Sequence, residues 1–354
     1  MIKIEKRISN SQYLKSLAKF SSFVIGILLS LFFLKFLGIE MIDLIKNIYF
    51  DAFGSIYSFT ELLLKMVPLL ICSIGVSFAF KMKLWNIGSE GQLYIGALAS
   101  SLTAIYIPLN SHYFMIFMMF LAAFIAGGLW SGIAGFLKVK LNVNEIIVTL
   151  LMNYIAILIV DYLVYGPLKD PEGFNFPYSK KFTDIAKLTT FGDTRLHTGI
   201  VLAIFLLILY YILMEKSVWG YEVRVIGSNP NAAKYAGINI NKNILIIMVL
   251  SGGISALAGF TEVSGVLHRL QHSISPGYGY TAIIIAWLSN QSSIGILFSS
   301  LFMALIFIAG DTLQLNYQIP ISMVNAFQGI LLFALLTGDF FINHKITIKR
   351  RKNA

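Results

Sequence analysis

Cysteine is nearly absent from this chain of 354 residues: Cys72 stands alone inside an apolar run. No internal disulfide framework and no cysteine-ligated metal centre can be built from it, and a small buried hydrophobe is the expected role. Charge is also scarce. Asp, Glu, Lys and Arg make up 12% of the residues, against about 25% in soluble domains. Catalytic signatures are missing as well. There is no Gly-x-x-x-x-Gly-Lys-Ser/Thr phosphate loop, so ATP hydrolysis by that route is excluded. Neither a Gly-x-Ser-x-Gly elbow nor His-Glu-x-x-His occurs, which removes two common hydrolase designs. The histidines His112, His197, His268, His272 and His344 are scattered, and the His268/His272 pair has no carboxylate at ligand spacing. No metal, catalytic residue or cofactor bound by this chain is expected.

What the chain has in quantity is hydrocarbon. Apolar residues reach 57% and arrive in blocks near twenty long, the length that crosses a bilayer as a helix. The expected fold is all-α, a polytopic membrane protein of about ten transmembrane helices. They are placed near 20–37, 60–80, 91–107, 113–137, 145–165, 198–214, 243–263, 279–288, 293–309 and 321–341, the eighth being short. Residues 1–19 precede them as a basic segment with no Ala-x-Ala cleavage site, and 342–354 follow as a basic tail. Both ends and the 81–90, 138–144, 215–242 and 289–292 connections read as cytoplasmic, collecting 18 of 27 Lys and Arg, while 166–197 reads as an extracytoplasmic loop of mixed sign. This topology accounts for the net charge of +10 without nucleic acid. Five spans on either side of the long loop would run in opposite orientations, a parity that permits inverted five-plus-five halves with broken helices.

Small residues punctuate the spans, with Gly127, Gly128, Gly132 and Gly135 in one and Gly252, Gly253, Ala256, Ala258 and Gly259 in another. Spacings of three and four put them on shared helix faces suited to close packing. Lys35, Asp161, Glu262 and Asp311 fall near span ends, where snorkelling explains them, and Glu61 and Lys65 are four apart on one face.

Three polar interruptions stand out: Trp85 to Gln92, Asn142 to Glu145 leading to Asn153, and Ser275 to Tyr280. Broken backbone at membrane depth needs a protein partner or a wet path. Asn86, Glu90, Gln92, Asn144, Glu145 and Asn153 are therefore candidates to line a substrate path. Ordinary loops with helix caps, Ser89 and Asn144 among them, are the competing account. A fourth polar stretch, Gly220 to Ile238, is a charged, turn-forming island between apolar runs. Asn229 and Pro230 suit the start of a short helix, and Gly237 with Asn239 suits its end.

Taken in order, Asn86-Ile-Gly-Ser-Glu-Gly-Gln, Asn144-Glu145 with Leu151-Met-Asn-Tyr154, Gly166-Pro-Leu-Lys-Asp-Pro171, the 220–238 island and Ser275-Pro-Gly-Tyr-Gly-Tyr-Thr281 span nearly the whole chain. Together they resemble the permease subunits of bacterial nucleoside and simple-sugar ATP-binding-cassette importers. The resemblance implies that cargo crosses through this chain and that ATP is hydrolysed by a cytoplasmic ATPase. It also implies a second permease, a paralogue rather than a copy, and an extracytoplasmic substrate-binding lipoprotein. By the same resemblance the island is the coupling helix seated on the ATPase, carried by Gly220, Tyr221, Glu222, Arg224, Gly227, Asn229, Pro230, Ala232, Ala233, Tyr235, Ala236, Gly237 and Ile238. An ion-coupled secondary transporter of a small polar solute is the alternative, and it would place carboxylates at the membrane midplane.

Overall fold

The computed structural model describes residues 2–6, 26, 28, 32, 35, 39–330, 333 and 344–348. Within them the chain is helical, save for a short antiparallel ribbon pairing β1 (Ile2–Lys6) with β2 (His344–Ile348). The chain divides into two compact units, 56–305 and the two ends 1–55 with 306–354.

The helices are α1 (Met41–Phe53), α2 (Ile56–Lys81), α3 (Ser89–Tyr106), α4 (His112–Leu141) and α5 (Glu145–Tyr165). After a long loop come α6 (Gly199–Tyr210), α7 (Val218–Ser228), α8 (Pro230–Tyr235), α9 (Ile240–Glu262), α10 (Tyr278–Leu288) and α11 (Ser293–Asn316). Wide π-helical turns extend α6 through Tyr211–Lys216 and α9 through Val263–Leu267. Among the described residues six segments are long and apolar enough to cross a bilayer: Ile56–Lys81, His112–Leu141, Glu145–Tyr165, Gly199–Lys216, Ile240–Leu267 and Ser293–Asn316. The expected first span, 20–37, lies outside the described residues apart from isolated positions. Of the tenth, residues 321–330 are helical and most of the rest lies outside. The short eighth span is α10, eleven residues long. The third, α3, is a full helix but too polar to count as a span by composition, and α1 was not anticipated at all.

In the 56–305 unit α9 is central and packs against α2, α3 and α4. Its small residues explain how. A β-carbon on Gly252 would meet the Gly127 carbonyl oxygen of α4 at 2.5 Å, and one on Gly259 or Gly96 would run into the backbone of the facing helix. The helices therefore touch backbone to backbone, where dispersion acts at shortest range. The polar α3 survives in this interior because most of its hydroxyls are satisfied by protein, Ser89 Oγ at its start being buried without a partner among the described residues. Ser101 and Thr103 donate to carbonyls one turn back, and Ser100 donates to Met119 O at 3.2 Å. Cys72 is fully buried, as expected of a packing residue. By contrast α4, α5 and α6 turn much of their apolar surface outward.

The 166–197 loop is held rather than loose. Backbone N–H groups of Ser179, Phe182 and Leu188 donate to the carbonyls of Leu270, His268 and Ser264. His197 is buried where α6 begins, in space left by Gly199 and Gly265, and its Nδ1 accepts from Gly199 N at 3.1 Å. Glu61 is met by Arg195 of this loop, Nη1 to Oε2 3.3 Å. Asp161, expected to snorkel, accepts from His272 Nδ1 at 2.8 Å, so a carboxylate distant in sequence does reach that histidine. Among the described residues no three His, Cys, Asp or Glu gather as metal ligands.

Candidate functional site

The 217–239 segment is two helices, not one. Ser217 caps α7, its Oγ accepting from Gly220 N at 2.9 Å. Asn229 caps α8, its Oδ1 accepting from Asn231 N and Ala232 N, and Pro230 fills the first turn where an N–H would have no partner. The end of α8 is closed by two bonds, Ile238 N to Ala233 O and Gly237 N to Lys234 O. Gly237 sits at φ +76°, the left-handed conformation that this closure requires and that only glycine adopts without strain. Asn239 belongs to the next helix, capping α9 by accepting from Lys242 N.

Anchoring and presenting residues separate cleanly in this segment. Gly220, Gly227 and Ala233 are buried. Gly227 rests on the end of α2, where a β-carbon would come 2.6 Å from Lys81 O, and Gly220 lies against Leu213 and Met214 of the π-turn. The Arg224 guanidinium donates to Met214 O. Trp219 Nε1 donates to Asn243 Oδ1 at 2.7 Å, tying α7 to the start of α9. Just upstream, Glu215 Oε1 accepts from Ser293 N and Oγ at 2.8 and 2.6 Å and so holds the start of α11. Glu222 and Ile238 are half-buried, whereas Tyr221, Asn229, Pro230, Ala232, Tyr235, Ala236 and Gly237 face outward, Tyr235 with 93% of its surface exposed. The result is a small knob with a polar and aromatic outer face, fastened to the ends of α2, α6 and α9, while the π-turn beside it holds α11.

The three polar interruptions, distant in sequence, form one junction. Asn86 and Gln92 exchange side-chain amide bonds of 3.1 and 2.9 Å, and Asn86 Nδ2 also donates to Ser251 Oγ at 2.8 Å. Ser251 in turn donates to Gly75 O. Asn153 accepts from Gly91 N and donates to Ile87 O, each at 2.8 Å. Glu90 Oε2 accepts from Gly279 N at 2.7 Å, supporting the start of α10, and Ser275 Oγ accepts from Gly277 N and Tyr278 N. Glu145 accepts from Lys138 Nζ at 2.6 Å. Asn86, Glu90, Gln92, Glu145 and Asn153 are all buried, while Asn144 is exposed and caps α5 by accepting from Ile146 N. Ser89 does not cap α3, because the helix already begins at that residue. In this conformation the buried amides and carboxylates of the junction are satisfied within the protein, whereas Ser89 Oγ is buried without a partner among the described residues.

Sequence reasoning missed the fasteners: Glu215, Ser217, Trp219, Asn243, Ser251 and Thr149, whose Oγ1 accepts from Ile87 N at 3.2 Å. Only Ser217 carried a local signal, as a serine directly before a helix-forming run. The others act across more than twenty residues and leave no spacing to read.

Comparison with known proteins bears on both features. A family described as the branched-chain amino acid transport system / permease component matches residues 58–336, which contain the junction and the knob. The chain belongs to this permease family. The permease is 34% identical over 323 residues to the glucose ABC transporter permease protein TsgB13 of Haloferax volcanii, covering 88% of this chain and 84% of that one. It is 30% identical over 293 residues to the guanosine ABC transporter permease protein NupP of Bacillus subtilis, with 79% and 81% covered. Its fold is like that of an inward-facing transporter assigned to the metal-chelate ABC type, with a TM-score of 0.50 and 18% identity over 91% of the permease and 97% of that chain. The permease is thus a multi-pass membrane protein, the membrane subunit of an ABC transporter.

Proposed function

We propose that the permease forms part of the conduit of an ABC importer for nucleosides or related simple sugars, with both termini and the 217–239 knob in the cytoplasm. The observation that carries this reading is the knob itself. A capped pair of helices exposes Tyr221, Tyr235 and Ala236 while its buried side is held to three helix ends, and through the adjoining π-turn to a fourth. Such a part can take force from a partner and deliver it to several spans at once. The partner is a cytoplasmic ATPase that binds and hydrolyses the ATP. Relatives named for glucose and guanosine support the cargo class.

A second permease, a paralogue, completes the conduit in this reading, and an extracytoplasmic binding lipoprotein delivers cargo to the 166–197 face. That face carries a cavity of about 640 Å³ lined by residues including Asp170, Phe174, Tyr178, Lys180 and Arg269. The junction residues Asn86, Glu90, Gln92, Asn144, Glu145 and Asn153 would line the route only in a state in which the junction has opened.

Uptake of labelled guanosine, uridine, ribose and glucose in cells lacking and regaining the chain tests the cargo. Uptake of none of them overturns the cargo class. Vesicles holding the chain without any nucleotide hydrolase test the energy source, since accumulation of cargo against a gradient there would overturn the ATPase-driven reading.

A further inference from the structure

Helix α1 is built inside out for a soluble protein. Two of its polar side chains, Asn47 and Asp51, are held by protein. Asp51 Oδ2 accepts from Thr312 Oγ1 at 2.7 Å and from Asn316 Nδ2 at 3.3 Å, and Asn47 Nδ2 donates to the Tyr317 hydroxyl at 3.1 Å. Leu44 and Ala52 are buried on the same side. The opposite side presents Ile42, Ile45, Tyr49 and Phe50, each with more than half of its surface exposed. Ile42, Ile45 and Tyr49 follow one another at spacings of three and four and form an apolar stripe, with the exposed Lys46, four after Ile42 and three before Tyr49, lying between it and Phe50.

An apolar stripe on a membrane protein needs hydrocarbon, but α1 cannot reach across it. Thirteen residues rise about 20 Å, against a hydrocarbon core of about 30 Å. Nor is one end of the helix suited to dip alone. Glu40, Asp43, Lys46, Asn47 and Asp51 put a polar residue on every turn, so α1 is amphipathic across its width and not along its length. Asp43 and Lys46 lie on the exposed surface, their charged groups 3.9 Å apart. An apolar stripe with an aromatic pair in its last turns and one long-stemmed lysine beside it matches the chemistry of the boundary between headgroups and acyl chains, where amphipathic rings collect and a lysine ammonium reaches water.

We infer that the outward face of α1, Ile42, Ile45, Tyr49 and Phe50, is a lipid-binding surface lying flat at the headgroup boundary of the bilayer. Its ligand is the upper acyl chain and glycerol region of phospholipid. Because Glu40, Asp43 and Asp51 outnumber Lys46, attraction to anionic headgroups is not what holds it.

Cys72 is the chain's one cysteine and is buried, so single-cysteine spin labelling is straightforward in a Cys72→Ala background. Ile42→Cys, Ile45→Cys, Tyr49→Cys and Phe50→Cys variants of the intact transporter would be labelled, checked for retained uptake, and placed in phosphatidylcholine bilayers with and without phosphatidylglycerol. Collisions with oxygen and with a water-soluble nickel chelate report depth. The inference expects all four labels within about 5–10 Å of the phosphate level, at one common depth, unchanged by phosphatidylglycerol. Four other results overturn it. Labels open to the nickel chelate would place the face in water. Labels shielded from both probes would mean that a protein partner covers it. A steady gradient of depth from residue 42 to 50 would make α1 a half-spanning helix. Depth that requires phosphatidylglycerol would make the attachment electrostatic.

Discussion

The junction and the knob are both polar interruptions between apolar helices, and they solve opposite problems. At the junction every candidate residue but Asn144 is buried, and their amides and carboxylates find partners within the protein, some a few residues away and some on distant helices. At the knob the inner side is held by close glycine contacts, buried Val223, Ile226 and Ala233, and the Trp219 and Arg224 bonds, while Tyr221, Tyr235 and Ala236 face outward. Polarity inside the helix bundle thus holds one region together, while polarity on an exposed face leaves the other free to meet a partner. The same pair of readings, cap or contact, divides between the two places.

Four experiments would break or sharpen that contrast. The largest effect is expected at the knob. Tyr235→Asp with Ala236→Asp should reduce uptake to background while abundance and unfolding temperature stay at wild-type values, since exposed substitutions shift stability by only about 0.5 kcal/mol. Normal uptake in that double variant would remove the knob's role.

Asn86→Ala should do the reverse. It leaves partners such as Gln92 and the Gly88 N–H unsatisfied in the interior at about 1–3 kcal/mol each, so stability in detergent should fall by about 3 kcal/mol. Uptake should then drop only with abundance. A normal unfolding midpoint with lost uptake would instead favour Asn86 as a lining residue.

The third experiment concerns pH. Burial holds His197 neutral, with its pKa pushed down to about 4, below the ordinary value near 6.5. The folded form then binds fewer protons than the unfolded chain between those values. Stability is complete above about pH 6.5 and is lost as pH falls toward 4, by about 2–3 kcal/mol. His197→Gln should flatten that part of the unfolding profile, and an unchanged profile would show that other groups dominate.

The smallest effect is expected from Asn229→Ala, which removes the α8 cap for about 1 kcal/mol. Uptake per molecule should fall detectably while global unfolding barely moves. Asn144→Ala, a cap at the junction's edge, should move neither uptake nor stability by more than a similar amount.

Much of this architecture was legible in the residues. Blocks of hydrocarbon near twenty residues long marked most spans to within a few positions, because the bilayer imposes one length. The glycine faces of α4 and α9 were legible for a related reason, as helical periodicity leaves few other uses for them. Asn229, Pro230 and Gly237 announced the start and end of α8 because capping is local chemistry. What could not be read was long-range. Nothing near Glu90 reveals that Gly279 waits 189 residues away, and nothing near Asp161 points to His272. The amphipathic α1 was hidden by its length, too short for a span and too apolar on one side for a loop.

The glycine contacts of α9 carry a mechanical consequence. A shaft whose neighbours touch it backbone to backbone has no slack in which to slide or twist, since any shift would drive carbonyl groups into one another. α3, α4 and α9 should accordingly travel as a single block when the transporter changes state. The give has to come from elsewhere, and the two over-wide turns that end α6 and α9 are the places where one residue can be passed along a helix without tearing it.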